Sequence, residues 1–315
     1  MGGSPRRVLD RATVFSVGGY RFEGGPFHAF SRRGVTGLFR ADRAAVAGLL
    51  PSPLLHPVPW GRSGTLVVVA GSDFTASLGS LPPSRYGEVV VAALVTYGEH
   101  PAPPLWPALS LLRPEYRPAQ YNLAIAVTNR FARDHGRQVY GQPKVLADVR
   151  YERRDHHDRV LCHDDDAPLL DLQVRTDGRP GDLKPAHLTA YAARDGLLLA
   201  WAMSMRGVQR TRTGPDAARL TLGTHPSVQH LHSLGLSTTT LQGVAIPAGS
   251  LHISEHAEVV GSAQPPPAPI PTSLHRDGHL IISYAPGIDL AADQHLDRLP
   301  FDPSDHLTVD DLAAV

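Results

Sequence analysis

Lysine is almost absent from this chain. Of its 30 cationic side chains only two, Lys144 and Lys184, are lysines; the rest are arginine. The two types are not equivalent. Arginine stays protonated in proteins, whereas a desolvated lysine can shed its proton and become a nucleophilic amine. Lys144 lies in Tyr140-Gly141-Gln142-Pro143-Lys144-Val145-Leu146-Ala147, and every other residue from Gln138 to Ala147 is uncharged. Uncharged surroundings favour the free amine. The chemistry open to such an amine is nucleophilic attack. The plainer alternative is a surface lysine after a proline turn. Lys184 sits in the polar segment Asp182–Pro185, expected to be a loop and a poor setting for a neutral amine. A second suggestive cluster is His156-His157-Asp158 with Cys162-His163-Asp164-Asp165-Asp166. These are metal-ligand types, but no C-x-x-C or H-E-x-x-H spacing accompanies them, and solvated hairpin turns explain them better. No metal site is expected.

Lys144 needs elements to hold it. Thr128 or Asn129 can cap a helix over Arg130–Val139, and Gly141 lies just past its end, where a left-handed residue commonly closes a helix. Lys144 then enters a strand, Val145–Tyr151. The helix C-terminus favours a cation, so the apolar surroundings must oppose it. Upstream, Arg32-Arg33-Gly34 precedes a short strand, Val35–Phe39, and Asp42 reads as the N-cap of a helix over Arg43–Leu50 stopped by Pro51. Leu66–Ala70 reads as a buried strand and Leu78–Tyr86 as a loop. Glu88 opens the strand Val89–Tyr97, and Tyr121–Val127 follows. Residues 100–118, with six prolines, Trp106 and several leucines, form either a lid over a pocket or a packed surface excursion. Further strands are expected at Val160–Cys162, Leu169–Val174, Gly196–Met205, Arg219–Gly223 and Gly243–Ile246. In residues 225–236, His230 and His232 alternate like one face of a strand. Pro265–Pro271 is a stiff linker.

Composition bounds the class. A 42% apolar fraction over 315 residues supplies a sizeable core, and zero formal net charge removes the global field that draws a protein to nucleic acid or anionic membrane. The 29 glycines and 29 prolines, set between short β-branched runs, argue for strands and turns over a helical bundle. The longest apolar runs are too short to span a bilayer. A single cysteine, Cys162, allows no internal disulfide and suits a reducing compartment. The first residues carry no apolar run of the kind a secretion signal needs. A cytoplasmic location is expected. No G-x-G-x-x-G follows a strand, and neither a P-loop nor G-x-S-x-G is present, so phosphate-binding and serine-hydrolase readings have no support.

The segment His135-Gly136-Arg137-Gln138-Val139-Tyr140-Gly141-Gln142-Pro143-Lys144-Val145-Leu146 resembles the acetoacetate decarboxylase segment G-R-E-x-x-x-x-P-K-K-L. Three more stretches agree in order. Phe39-Arg40-Ala41-Asp42 through Leu50-Pro51-Ser52-Pro53-Leu54 is similar to that family's Y-R-T-D … V-P-x-P-L. Tyr86-Gly87-Glu88 is similar to its Y-x-E. Thr213-Gly214-Pro215, with His225-Pro226, is similar to its T-G-P region. The likeness spans roughly residues 20–260. It implies that Lys144 is the imine-forming lysine, that Glu88 is the catalytic carboxylate and that Arg32, with Arg33 one step away, is the active-site arginine. A lysine freed by desolvation or by a neighbouring cation is a known feature of that family, not a deduction from this sequence. Tyr86, Gln138, Tyr140 and Gln142 share the matched segments and are the expected substrate-binding residues. An imine is an electron sink: a β-keto acid bound through it loses CO2 to an enamine, which is protonated and hydrolysed.

The departures are specific. The lysine after the nucleophile is Val145 here, the glutamate of G-R-E is Gln138, and an acidic position on the strand before Y-x-E falls within Val67–Val69. A less charged site suits a substrate larger than acetoacetate. It also suits relatives that use the same imine for aldol condensation, dehydration or cyclisation. The resulting expectation is an α+β fold, mainly antiparallel, with a curved sheet forming a barrel or cone around an apolar channel and a few short helices. Residues 1–18 would be a loose arm, 19–262 the decarboxylase-like domain, and 263–315 a proline-rich linker and extension. The expected activity is a Schiff-base lyase on a small-molecule carbonyl substrate, with no metal or organic cofactor, in a homo-oligomer that binds neither nucleic acid nor membrane. A non-catalytic ligand-binding member of the fold is the alternative from another class.

Overall fold

The computed structural model describes residues 7–8, 14–17, 20–23, 27–78, 83–104, 116–164, 167–254 and 257–264. In chain order the elements are β1 (Arg7–Val8), β2 (Val14–Val17), β3 (Tyr20–Glu23), β4 (Phe27–Asp42), α1 (Arg43–Leu49), β5 (Leu55–Pro57), β6 (Gly64–Leu78), β7 (Ser84–Tyr97) and β8 (Ala119–Val127). Next come α2 (Arg130–Tyr140), β9 (Lys144–Leu146), β10 (Asp148–Arg154), β11 (His157–Asp164), β12 (Ala167–Arg175), β13 (Arg179–Arg194) and β14 (Leu197–Thr213). The chain finishes with β15 (Ala218–Leu222), a 3-10 turn (Pro226–Val228), α3 (Gln229–His232), β16 (Thr240–Ile253) and β17 (Glu258–Ser262).

Seven strands close on themselves in the order β4-β6-β7-β8-β13-β14-β16, because β16 pairs with both β14 and β4. The β8–β13 contact is parallel and the other contacts of this ring are antiparallel, so the ring is a curved mixed sheet, less regular than a true barrel. A four-stranded sheet, β10-β11-β12-β15, supplies a second layer. The architecture is the α+β curved sheet that the sequence predicts.

Strand alternation sends most of the core to two clusters, with a small third around Val58, Leu66 and Ala102. Val67, Val69, Val89 and Val91 share one hydrophobic cluster with Val149, Val160, Leu170 and Leu172 of the four-stranded sheet. Phe74, Tyr86, Ile125, Trp201 and Met203 belong to a second cluster, on the ring's inner side. Both faces of β6 and β7 are therefore covered, which is why Leu66–Ala70 and Val89–Val95 read as unbroken apolar runs with no polar alternation.

One irregularity matters for the interior. Val91 pairs with Ala124 and Ala92 with Asn122, so Leu123 is an extra residue bulged out of β8. Before the bulge Gln120 and Asn122 face inward; after it Ile125 does.

Several expectations change. The described parts of the N-terminal arm are strands: β1 pairs with β17, β2 pairs with β3, and Phe15 is buried. The short strand at Val35–Phe39 is a small part of β4. A bulge between Ser31 and Arg33 leaves Arg32 and Arg33 exposed, so charged residues sit in a long strand without desolvation. Tyr86 and Glu88 lie within β7, not in a loop or at its start. Lys184 lies in β13, at a register shift between Leu183 and Ala186, not in a loop. Residues 226–232 form helical turns in place of a strand face. Residues 105–115 of the proline-rich stretch, and 265–315 of the expected linker and extension, lie outside the described residues.

Candidate active site

The sequence around Lys144 folds as its caps dictate. The Asn129 side chain accepts from Ala132 N at 2.7 Å and starts α2. Gly141, at φ 68°, ends it in the left-handed conformation that glycine adopts without strain. The turn is then locked to the strand after it: Gln142 N donates to Gly136 O at 3.0 Å, and Arg137 Nε donates to the Lys144 carbonyl at 2.6 Å. β9 runs parallel to β8 with Lys144 opposite Ile125. Ile125 faces the interior, and so does Lys144; Val145 faces the opposite way, into the core shared with the four-stranded sheet. Gly136 carries no side chain at the point of closest approach. A Cβ there would stand 2.6 Å from Lys144 Cδ and 2.5 Å from Gln142 Oε1.

Glu88 reaches the same place from another strand. Tyr86, Glu88 and Val90 alternate inward along β7, two strands from β9 across β8. Lys144 is 6% exposed, and its Nζ donates to Glu88 Oε2 at 2.8 Å. At this separation a proton can pass between Nζ and Oε2. Lys144 is thus flanked by uncharged residues in sequence but by the Glu88 carboxylate in space. Two neighbours stay neutral. Burial, reinforced by the Glu88 charge, holds the Tyr86 phenol well above its ordinary value. Burial, reinforced by the Lys144 charge, pushes the His135 imidazole down to about 3.

These groups line a cleft of about 820 Å³, counting its open mouth. The Met203–Ile253 and Met205–Leu251 cross-strand pairs form one apolar wall, with Phe27 and Phe74 beside them. Polar atoms are few and placed: Gln142, Ser72, and the Gln120–Asn122 pair, joined by a 3.2 Å hydrogen bond. An apolar pocket with a handful of converging polar groups is the usual form of a small-molecule site.

Of the residues singled out from sequence, Lys144, Glu88, Tyr86, Tyr140 and Gln142 come together in this cleft. Two do not. Arg32 is exposed on the β4 bulge, and Gln138 is exposed on α2; neither lines the cleft. Each is turned away by local geometry, Arg32 by the bulge and Gln138 by its place on the outer face of the helix. Val145 likewise leaves the cleft's charge untouched, because it lies on the far side of β9. His135, Gln120 and Asn122 are cleft residues that the sequence reading did not single out. The alternation of β8 could have found Asn122, since a buried asparagine in an apolar strand calls for a partner. In the cluster considered for metal, Asp158 is taken up by Arg153 at 2.9 Å and Cys162 is buried.

The acetoacetate decarboxylase (ADC) family model matches residues 16–252. The chain belongs to the acetoacetate decarboxylase family. Its members and its structural neighbours are enzymes of this fold. No curated protein matches the sequence. Among solved structures, the enduracididine biosynthesis enzyme MppR, complexed with the condensation product of pyruvate and imidazole 4-carboxaldehyde, superposes with a TM-score of 0.57 at 13% identity, covering 76% of this chain and 91% of that one. Acetoacetate decarboxylase from Legionella pneumophila gives 0.56 at 13%, covering 83% and 99%. An acetoacetate decarboxylase-like enzyme from Sphingomonas wittichii gives 0.54 at 16%, covering 76% and 95%. At these identities the likeness is one of fold. Among the described residues no helix is long and apolar enough to cross a membrane.

Proposed function

We propose that this protein is a Schiff-base lyase in which Lys144 forms an imine with a carbonyl substrate. The observation that carries this is the buried Lys144 Nζ, held 2.8 Å from Glu88 Oε2 at the wall of a mainly apolar cleft. Glu88 takes a proton from the ammonium, and the amine adds to the carbonyl carbon. The proton returns to the carbonyl oxygen; the nitrogen, now bonded to carbon, gives up a second proton by way of Glu88, the oxygen leaves as water, and the protonated imine keeps the third. The imine then accepts the electron pair released when a β-keto acid loses CO2. Proton delivery to the enamine carbon and hydrolysis return Lys144. The apolar wall from Phe27 to Ile253 suits a substrate larger than acetoacetate. Val145 and Gln138 face elsewhere and leave substrate size to the lining.

Aldol condensation with dehydration is the second reading. It is supported by the fold shared with MppR, a protein solved in complex with the condensation product of pyruvate and imidazole 4-carboxaldehyde. The two reactions share the imine and diverge in whether the enamine meets a proton or an aldehyde.

The test is incubation with pyruvate or acetoacetate and borohydride, then intact-mass analysis and peptide mapping. One adduct on Lys144, lost in Lys144→Arg, is expected. An adduct that persists in Lys144→Arg and disappears in Lys184→Arg overturns the assignment. Binding without any adduct points to a ligand-binding member of the fold. Acetone release from acetoacetate, expected to be slow, is compared with formation of a conjugated product from pyruvate and an aromatic aldehyde.

A further inference from the structure

His135 is an unexplained feature of the cleft. It is 4% exposed, it lines the cavity with Lys144, Glu88 and Gln142, and it precedes Gly136, where an added Cβ would collide with the Lys144 side chain. Aromatic rings fix its plane. Phe27 and Phe131 are roughly parallel to it, at 6.0 Å and 6.4 Å between centroids; Tyr140 stands edge-on at 5.4 Å and Phe15 is tilted at 4.9 Å. Such contacts orient an imidazole without satisfying its nitrogens, and among the described residues neither ring nitrogen has a hydrogen-bond partner. Neither nitrogen is among the described buried atoms left without a partner, so both meet the open space of the cleft. A phenylalanine would complete the aromatic cluster equally well; what the imidazole adds is an N–H aimed at whatever occupies the cleft.

We propose that His135 is a catalytic residue whose imidazole N–H donates a hydrogen bond to the substrate oxygen as Lys144 attacks. This rests on the imine reading above. As the amine lone pair forms the new C–N bond, the C=O π pair moves onto oxygen, and charge develops there. The His135 N–H stabilises that charge and remains on the ring. The proton that neutralises the oxygen is the one Lys144 lost, passed through Glu88, so His135 gains and loses none. A ring kept neutral by burial is the appropriate donor: an imidazolium beside the Lys144 cation would cost more to form than it could return. Preorganised donors aimed at developing charge are typically among the largest contributions to catalysis.

The experiment measures the rate of borohydride-trapped adduct formation with pyruvate in wild type, His135→Phe and His135→Gln, with the fold checked by circular dichroism melting. Phenylalanine keeps the aromatic packing and removes the donor; glutamine keeps a donor and loses the aromatic packing. The expected order is wild type, then glutamine, then phenylalanine, with the phenylalanine variant slowed at least roughly tenfold, about 1.4 kcal/mol. If phenylalanine disrupts the fold, His135→Leu replaces it in the comparison. A phenylalanine or leucine variant that traps as fast as wild type, or faster than glutamine, overturns the role and makes His135 a packing residue. Failure of the wild type to form any adduct is a different result, because it removes the imine itself.

Discussion

Replacing Gly136 by alanine tests whether the position of Lys144, and not merely its presence, matters. The new methyl would stand 2.6 Å from Lys144 Cδ, 2.7 Å from its Cε and 2.5 Å from Gln142 Oε1. Ordinary contacts between such atoms are about 3.5–4.0 Å, so the lysine end must move by roughly 1 Å. Two opposed terms set the stability. Alanine in a helix interior gains about 0.5–1 kcal/mol over glycine, while overpacking costs about 1–3 kcal/mol. The atoms met are ends of side chains, so the cost falls at the low end and the net loss stays within about 2 kcal/mol. For a domain of this size that is a Tm lowered by at most about 8 °C. Activity has no such compensation: a misplacement of about 1 Å can cost on the order of a hundredfold, near 2.7 kcal/mol of barrier. The expected result is a folded variant whose borohydride trapping with pyruvate is about a hundredfold slower. Wild-type trapping in a variant with a wild-type melting curve would refute the reasoning, since the amine would then tolerate displacement.

Glu88→Gln keeps the shape beside Lys144 and removes the proton acceptor; kcat/KM is expected to fall at least about tenfold, or 1.4 kcal/mol. Arg32→Leu is expected to leave kcat/KM within about twofold, because Arg32 is exposed and outside the cleft lining; a tenfold loss would return the arginine to the mechanism. The His135 imidazole, ordinarily near 6.5, is held at about 3 in the folded protein by burial and then by the Lys144 charge. A depressed folded value gives stability that is present above about pH 6.5 and lost as pH falls towards 3. The drop in Tm between pH 7 and pH 4 is therefore expected to be smaller in His135→Phe than in wild type.

The parts of the site that were legible in the sequence are those encoded locally. Asn129 and Gly141 bracket α2, and the rarity of lysine singles out Lys144. Asp42 caps α1 through Ala45 N at 2.7 Å, within one residue of the expected helix. What was not legible depends on pairing between distant segments. The Lys144–Glu88 contact spans 56 residues and needs β7, β8 and β9 in one register. Facing direction was equally hidden. Val145 and Gln138 are adjacent in sequence to cleft residues, yet strand alternation and helix rotation send both away. β13 was missed because Pro180, Gly181 and Pro185 punctuate its first half.

The bulge at Leu123 gives the cleft a property that composition does not express. A strand has two phases, and β8 presents one before Leu123 and the other after it, so amides occupy the inner surface at one end and Ile125 at the other. Deleting Leu123 would merely iron the bulge out and leave every side chain facing as before, whereas straightening the strand with Leu123 kept would rephase half of it: Tyr121 and Ala119 would turn inward and the amides outward. A relative of the same length that lacked the bulge would thus exchange a polar rim for an aromatic one without a single substitution, and residue-by-residue comparison with it would match side chains that face opposite ways.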